Sequence, residues 1–210
     1  MMELTLLDQF MQHAPELALA GALAWGAGIR LYLVVFLFGL ASWLGYWQLP
    51  EHLAALAHPL VLFCAGFMTL VELFADKLPL LDTLWDAIHT FIRIPAGAAL
   101  AAGVFGDSGT AITLAAALLG GTLTATTHFS KASTRAVVNT SPEPISNMAL
   151  SFTEDALVAG GSWLAMSQPL IFLGVLGVFV VLALAMLRWI IRGARKLLGR
   201  PAQTAEPTGP

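Results

Sequence analysis

The stretch from Glu72 to Gly97, ELFADKLPLLDTLWDAIHTFIRIPAG, constrains this chain more than any other, because it sets charges into the middle of apolar sequence. It follows one apolar run and precedes another, yet carries Glu72, Asp76, Lys77, Asp82, Asp86, His89 and Arg93. From Leu80 onward the polar residues are ordered. Asp82, Asp86, His89 and Arg93 stand at i, i+4, i+7 and i+11, the spacing that stacks side chains on one face of an α-helix. The positions between are mostly Leu, Trp, Ile and Phe, with Trp85 and Phe91 read as packing residues. A soluble helix would turn such a stripe to water. In lipid it has to turn inward, since one unpaired charge at mid-bilayer costs roughly 2.5–3.5 kcal/mol on insertion scales.

Lipid is what the rest of the chain dictates. Of its 210 residues 58% are hydrophobic and 11% charged, against about 25% charged in ordinary soluble domains. The fold expected is all-α: a polytopic helical membrane bundle of about six transmembrane segments with broken or kinked helices. The single transmembrane domain covers residues 16–198, after an interfacial segment 1–15 and before a tail 199–210 whose composition is that of disorder. A net charge of −3, with no basic cluster before the C-terminus, argues against nucleic acid as a partner. Cys64 stands alone in an apolar run, so it offers no disulfide and no cysteine metal site and reads as a core residue.

The N-terminal segment does not resemble a signal peptide, because Glu3 and Asp8 stand where basic residues belong. Leu4, Leu7 and Met11 instead recur at helical spacing. Leu17 to Leu44 is then apolar for longer than the roughly 20 residues a bilayer needs. That span is expected to tilt strongly or to break at Gly26-Ala27-Gly28, with Arg30 just beyond. His58-Pro59 opens a second span, ending near Glu72 and Asp76, which share a face. The striped third segment is expected to kink at Pro95 before a small-residue run suited to close helix packing.

A fourth segment carries Thr124, His128, Lys131 and Arg135 at the same i, i+4, i+7, i+11 spacing, with bases where the third has acids. A fifth, expected to start at Ser141-Pro142 and to loosen at Gly160-Gly161, adds Glu143, Asn147, Ser151 and Glu154, with Asp155 beside them. The polar, proline-rich run from Asn139 to Pro144 reads as a non-helical break, tolerable only where it lines a cavity. Pro169 to Met186 is an uncharged span. After it Arg188, Arg192, Arg195, Lys196 and Arg200 form the one basic cluster. Weak self-similarity, such as His58-Pro59-Leu60 against Gln168-Pro169-Leu170, is compatible with an internal repeat but agrees on no single register.

The strings GIRLYLVVFLFGL, ADKLPLLDTLWDAIHTFIRIPAGA and HFSKASTRAVVNTSPEPISN resemble a bacterial integral membrane family, domain of unknown function 4126. The likeness runs from about Ala18 to Ile191. It implies an integral membrane protein and brings no reaction, substrate or catalytic residue with it.

Function is therefore read from charge. The embedded acids are Glu72, Asp76, Asp82, Asp86, Glu143, Glu154 and Asp155, and the bases Arg30, Lys77, Arg93, Lys131 and Arg135. Turning all stripes inward, acid against base, is the affordable arrangement, and for Asp86 the first partners to expect are Lys131 and Arg135. Buried pairs seldom add net stability over an apolar core, so their number favours a polar pathway or site over a purely structural network. Glu72, Asp76, Asp82, Asp86, His89, Arg93, His128, Lys131, Arg135, Glu143, Asn147, Glu154, Asp155 and Arg30 are its candidates. No catalytic residue stands out. Asp82, Asp86 and His89 would suit a divalent cation, the one cofactor with any support, or a proton relay. Lys131 and Arg135, alone or joined by Arg30 or Arg93, would suit an anion.

A small transporter or channel for an ion or small polar solute fits best. An enzyme acting on a lipid-linked substrate and a structural or assembly protein are the alternatives, and oligomerisation stays open. The basic C-terminal cluster points to a cytoplasmic C-terminus in the bacterial inner membrane.

Overall fold

A computed structural model of the chain describes residues 2–76, 79–138 and 144–198. Within these ranges the side chains of residues 2–7, 79, 80, 82, 83, 144, 187, 189–191 and 193–198 are not described. Among the described residues there is no strand. Six long helices follow one another: α1 (Met2–Trp43), α2 (Pro59–Ala75), α3 (Pro79–Val104), α4 (Thr110–Val138), α5 (Pro144–Ser167) and α6 (Pro169–Leu198). Four of them begin at proline, whose missing N–H is no loss at the first helical position. His58 also caps α2 through its Nδ1, which accepts from the Leu60 N–H at 3.2 Å.

The chain is a helical membrane bundle. Four helical spans are long and apolar enough to cross a bilayer: Asp8–Trp43, Leu84–Val104, Thr110–Val138 and Pro169–Met186. The 17-residue α2 falls short alone; with the 3-10 turn Glu51–Ala57, bent 64° from it, it is long and apolar enough, as a broken span or a re-entrant loop. The sixth long helix, α5, is too polar to qualify on apolarity, because its inner face carries Asn147, Ser151 and Glu154. Large apolar side chains face outward on every helix, among them Phe63, Phe74, Phe91, Leu119, Trp163 and Val181. That is the inverse of a soluble surface and suits lipid.

α1 is the axis of the bundle and packs against all five other long helices. In the apolar window of its span 61% of residues are buried, against 6% in that of α6 at the periphery. Its core face is built from Ala18, Ala22, Leu23, Ala24, Ala27, Val34 and Phe38. Small residues let neighbours approach closely. A methyl group on Gly28 would lie 2.7 Å from the Thr124 carbonyl and from Thr127 Cβ of α4, so α1 and α4 meet backbone to backbone there.

Several local expectations change. α1 breaks at Arg30 itself (φ −144°, ψ 79°), not at Gly26 or Gly28, whose missing side chains serve close packing instead. α1 also runs uninterrupted through Pro15, so helix continues from residue 2 into the first span. Pro95 lies inside a continuous α3. α5 continues past Gly160-Gly161, because the space at Gly161 holds the Trp25 ring rather than a bend. Cys64 is exposed on the outer face of α2, not in the core. Lys77, the run 139–143 with Glu143, and the tail 199–210 lie outside the described residues, as do the side chains of Asp82, Pro144, Arg195 and Lys196.

Candidate functional site

Helix periodicity brings the three stripes to one place. Asp86, His89 and Arg93 of α3, Thr124, His128, Lys131 and Arg135 of α4, and Asn147, Ser151 and Glu154 of α5 are all buried. Glu72 and Asp76 join them from the C-terminal end of α2, and Arg30 from the break in α1.

Two nests of ion pairs result. In the first, Arg93 contacts Glu72 Oε1 through Nη2 and donates to Asp86 Oδ1 through Nη1 at 2.7 Å. The same Nη1 lies 3.2 Å from His128 Nδ1. An arginine can only donate, so His128 Nδ1 accepts and its proton sits on Nε2, 2.7 Å from Thr90 Oγ1. Thr90 passes its own hydrogen to the Asp86 carbonyl at 2.9 Å.

The second nest gathers around Asp76 and Glu154. Arg135 grips both Glu154 oxygens, Nε to Oε1 at 2.9 Å and Nη2 to Oε2 at 2.8 Å, and Nη2 also reaches Asp76 Oδ2 at 3.1 Å. Its Nη1 donates to the Asp76 main-chain carbonyl at 3.4 Å, which caps the C-terminus of α2 with positive charge. Arg30 contacts Asp76 Oδ2 through Nη1, donates to Ser151 Oγ at 2.7 Å through Nη2, and lies 3.4 Å from Glu154 Oε2. Its Nε is 2.9 Å from Asp155 Oδ1, yet the N–H does not point at that oxygen and no hydrogen bond forms.

Lys131 joins the nests. Its Nζ is 3.4 Å from Glu154, 3.6 Å from Asp86 and 3.9 Å from Glu72, and donates to the Ile29 carbonyl at 3.1 Å. Ile29 immediately precedes the break, where carbonyls lose their i+4 partners. One cation thus caps an interrupted helix and is shared by three acids.

His89 stands apart from the ion pairs. Its Nδ1 is 2.8 Å from the Trp85 carbonyl, an acceptor, so Nδ1 carries the proton and Nε2 accepts from Tyr32 O–H at 3.1 Å. The ring stacks on Trp85 at 4.1 Å. His89 therefore offers no lone pair to a metal shared with Asp86, whose Oδ1 is occupied by Arg93. No group of three or more His, Cys, Asp or Glu able to hold a metal occurs among the described residues. Asp82, the third member of the expected cation set, has its side chain outside them. Of the two partners expected for Asp86, Lys131 is found and Arg135 is not. Arg93 on its own helix is the nearest partner and Lys131 the second, while Arg135 serves Asp76 and Glu154. Lys131, Arg135, Arg30 and Arg93, the cations of the anion reading, are all paired with carboxylates.

Tyr32, Thr90 and the Trp85 carbonyl take part in this network without belonging to any of the three sequence stripes. Tyr32 lies two residues past Arg30, and Thr90 four past Asp86 at the Ser/Thr-to-carbonyl spacing, which are their only signals in sequence. Asn147 is buried with neither its Oδ1 nor its Nδ2 partnered, and Glu72 Oε2 and Asp76 Oδ1 are likewise buried without partners.

A helical bundle apolar outside and ionic within defines an integral membrane protein. The chain belongs to the family described as domain of unknown function 4126, whose model matches residues 17–189 and so takes in every residue of the network. No curated protein and no solved structure matches the chain.

Proposed function

We propose that the protein is a small membrane transporter for an ion or a small polar solute, and that the two ion-pair nests are its coupling site in a closed state. The observation that carries this is a charge imbalance. Among the described residues the network sets five carboxylates (Glu72, Asp76, Asp86, Glu154, Asp155) against four cations (Arg30, Arg93, Lys131, Arg135). That is one acid in excess among the described residues, and a network kept for structure alone gains nothing from excess charge inside a bundle, where it is costly. A site that takes up a cation or proton does gain from it. The break in α1 supports the same reading, since interrupted helices at the middle of a bundle are a recurrent design of transporter sites.

The protein acts in the bacterial cytoplasmic membrane with its C-terminus in the cytoplasm, the lipid bilayer and the transported solute being its partners. Its work needs no catalytic residue or resident cofactor. The test is flux. Purified protein in liposomes is to be screened with proton-, cation- and anion-sensitive dyes, beside a Lys131→Met variant. Flux of one solute that the variant lacks is the expected result. Folded protein that moves none of the solutes sinks the reading and leaves the sealed network as a structural device, which the deep burial of Glu72, Asp76 and Arg93 would then explain.

A further inference from the structure

The five carboxylates are not equally compensated. Glu72 and Asp86 each face Arg93 and Lys131. Asp76 faces Arg30 and Arg135, and Glu154 faces Arg135, Arg30 and Lys131. Among the described residues Asp155 has one cationic neighbour, the Nε of Arg30, whose N–H is directed elsewhere. Arg30 is itself divided among Asp76, Glu154 and Asp155. Among the described residues Asp155 is therefore the least compensated carboxylate.

Asp155 is also the member that can be reached. Its side chain is 29% exposed, whereas the other four carboxylates are below a tenth. It lies at the middle of the 24-residue α5, with Phe152 and Leu157 exposed on the outer face. The groups facing it are Arg30 from α1, Asp76 and Glu72 from α2, and Glu154 on its own helix. From α4, Lys131 and Arg135 meet its neighbour Glu154, and α6 carries no charge from Pro169 to Met186. A second, separate feature points inward to a small ligand: the Oδ1 of fully buried Asp76, within the same nest, has no hydrogen-bond partner among the described residues.

We infer that Asp155, the carboxylate of the network open to the outside of the bundle, is a proton-binding site, and that its proton is the coupling ion of the transporter. Proton uptake turns the Asp155 carboxylate into a neutral carboxyl and leaves four acids against four bases. Arg30 is then released to Asp76, Glu154 and Ser151, so that the charge state of Asp155 is felt at the residue where α1 breaks.

The role as coupling ion rests on the transport reading; the proton site itself does not, and it can be tested alone. Dicyclohexylcarbodiimide, an apolar reagent, adds to protonated carboxyls reachable from lipid. The folded protein in detergent or bilayer is to be treated across a pH series and the adducts mapped by mass spectrometry. The largely exposed Asp107 serves as internal reference. The expected result is an adduct on Asp155, lost in Asp155→Asn and kept in Asp155→Glu. Its yield should persist to higher pH than that of Asp107. No adduct on Asp155 at any pH, or a yield that falls together with Asp107, overturns the site. If Asp155→Asn does not fold, labelling of the unaltered protein still decides. A labelled Asp155 in a protein without flux keeps the site and ends the transport reading. Proton-coupled flux that survives Asp155→Asn does the opposite.

Discussion

Arg135 of α4 meets Glu154 of α5 as a fork, Nε to Oε1 at 2.9 Å and Nη2 to Oε2 at 2.8 Å. Two parallel charge-assisted bonds fix both the distance and the rotation of the two helices. Glu154→Gln keeps the shape but leaves Arg135 short of charge in a buried setting. Removing one partner of a buried pair costs about 3–5 kcal/mol. Thermal unfolding followed by size-exclusion chromatography should show a clear loss for Glu154→Gln and a smaller one for Glu154→Gln with Arg135→Gln. Equal stability of the single variant and the parent would mean that water compensates the charge.

Arg30 cannot be replaced by lysine. Its guanidinium serves Asp76, Glu154 and Ser151 in different directions from a residue that is itself non-helical, and an ammonium lacks the planar fork. Loss of the 2.7 Å bond to Ser151 alone is worth about 1.5–3 kcal/mol. Arg30→Lys should lower the unfolding temperature and abolish flux, while Ser151→Ala should cost less and leave part of it. Unchanged stability in Arg30→Lys would show that the position needs only a positive charge.

Gly28 holds α1 against α4. A methyl there would lie 2.7 Å from the Thr124 carbonyl and 3.0 Å from the His128 amide nitrogen, and main chain cannot yield as a side chain does. Gly28→Ala is expected to destabilise by about 1–3 kcal/mol through overpacking. Gly174→Ala on α6, where open space surrounds the glycine, is the control that should be neutral. Similar losses at both positions would count against the close α1–α4 contact.

The three polar stripes were legible because helical period does not depend on partners: His128, Lys131 and Arg135 had to share a face wherever that face pointed. Inward orientation followed from lipid. What stayed hidden was set by neighbours. The break at Arg30 was misplaced because glycine signals both flexibility and close approach, and only the position of α4 shows that Gly28 does the second. The role of Lys131 as a cap on Ile29 depends on that break and was equally unreadable. His89 looked like a metal ligand beside Asp86, but Tyr32 from α1 and the Trp85 carbonyl claim both its nitrogens. Of the two partners expected for Asp86, Lys131 is found and Arg135 is not, and the i+7 contact on the same helix, with Arg93, was not weighed against contacts across helices.

Orientation rests on Arg188 and Arg192, both exposed on the last turns of α6. Positive charge flanking a span is retained on the cytoplasmic side. A phosphatase fused after Arg200 should be inactive and a fluorescent protein there bright. Changing the basic residues from Arg188 to Arg200 to glutamine should weaken that bias. Active phosphatase with the basic residues intact would reverse the assignment.

Lys131 gives the sharpest test of how the nests share charge. It lies near three acids without hydrogen-bonding any, and holds only the Ile29 carbonyl directly. Lys131→Met removes the shared cation and leaves five carboxylates around three arginines, so a loss of about 3–5 kcal/mol is expected. Proximity alone would single out Glu154, the nearest acid at 3.4 Å, as the one left exposed to repulsion. Compensation argues otherwise. Glu154 keeps the Arg135 fork and Arg30, whereas Asp86 keeps Arg93 alone, which it shares with Glu72. In the Lys131→Met background, Asp86→Asn should therefore restore more stability than Glu154→Gln, which would strip Arg135 of its fork. The comparison needs only unfolding temperatures of the three proteins. The opposite ranking would mean that Lys131 belongs to the second nest and that the two nests are electrostatically independent.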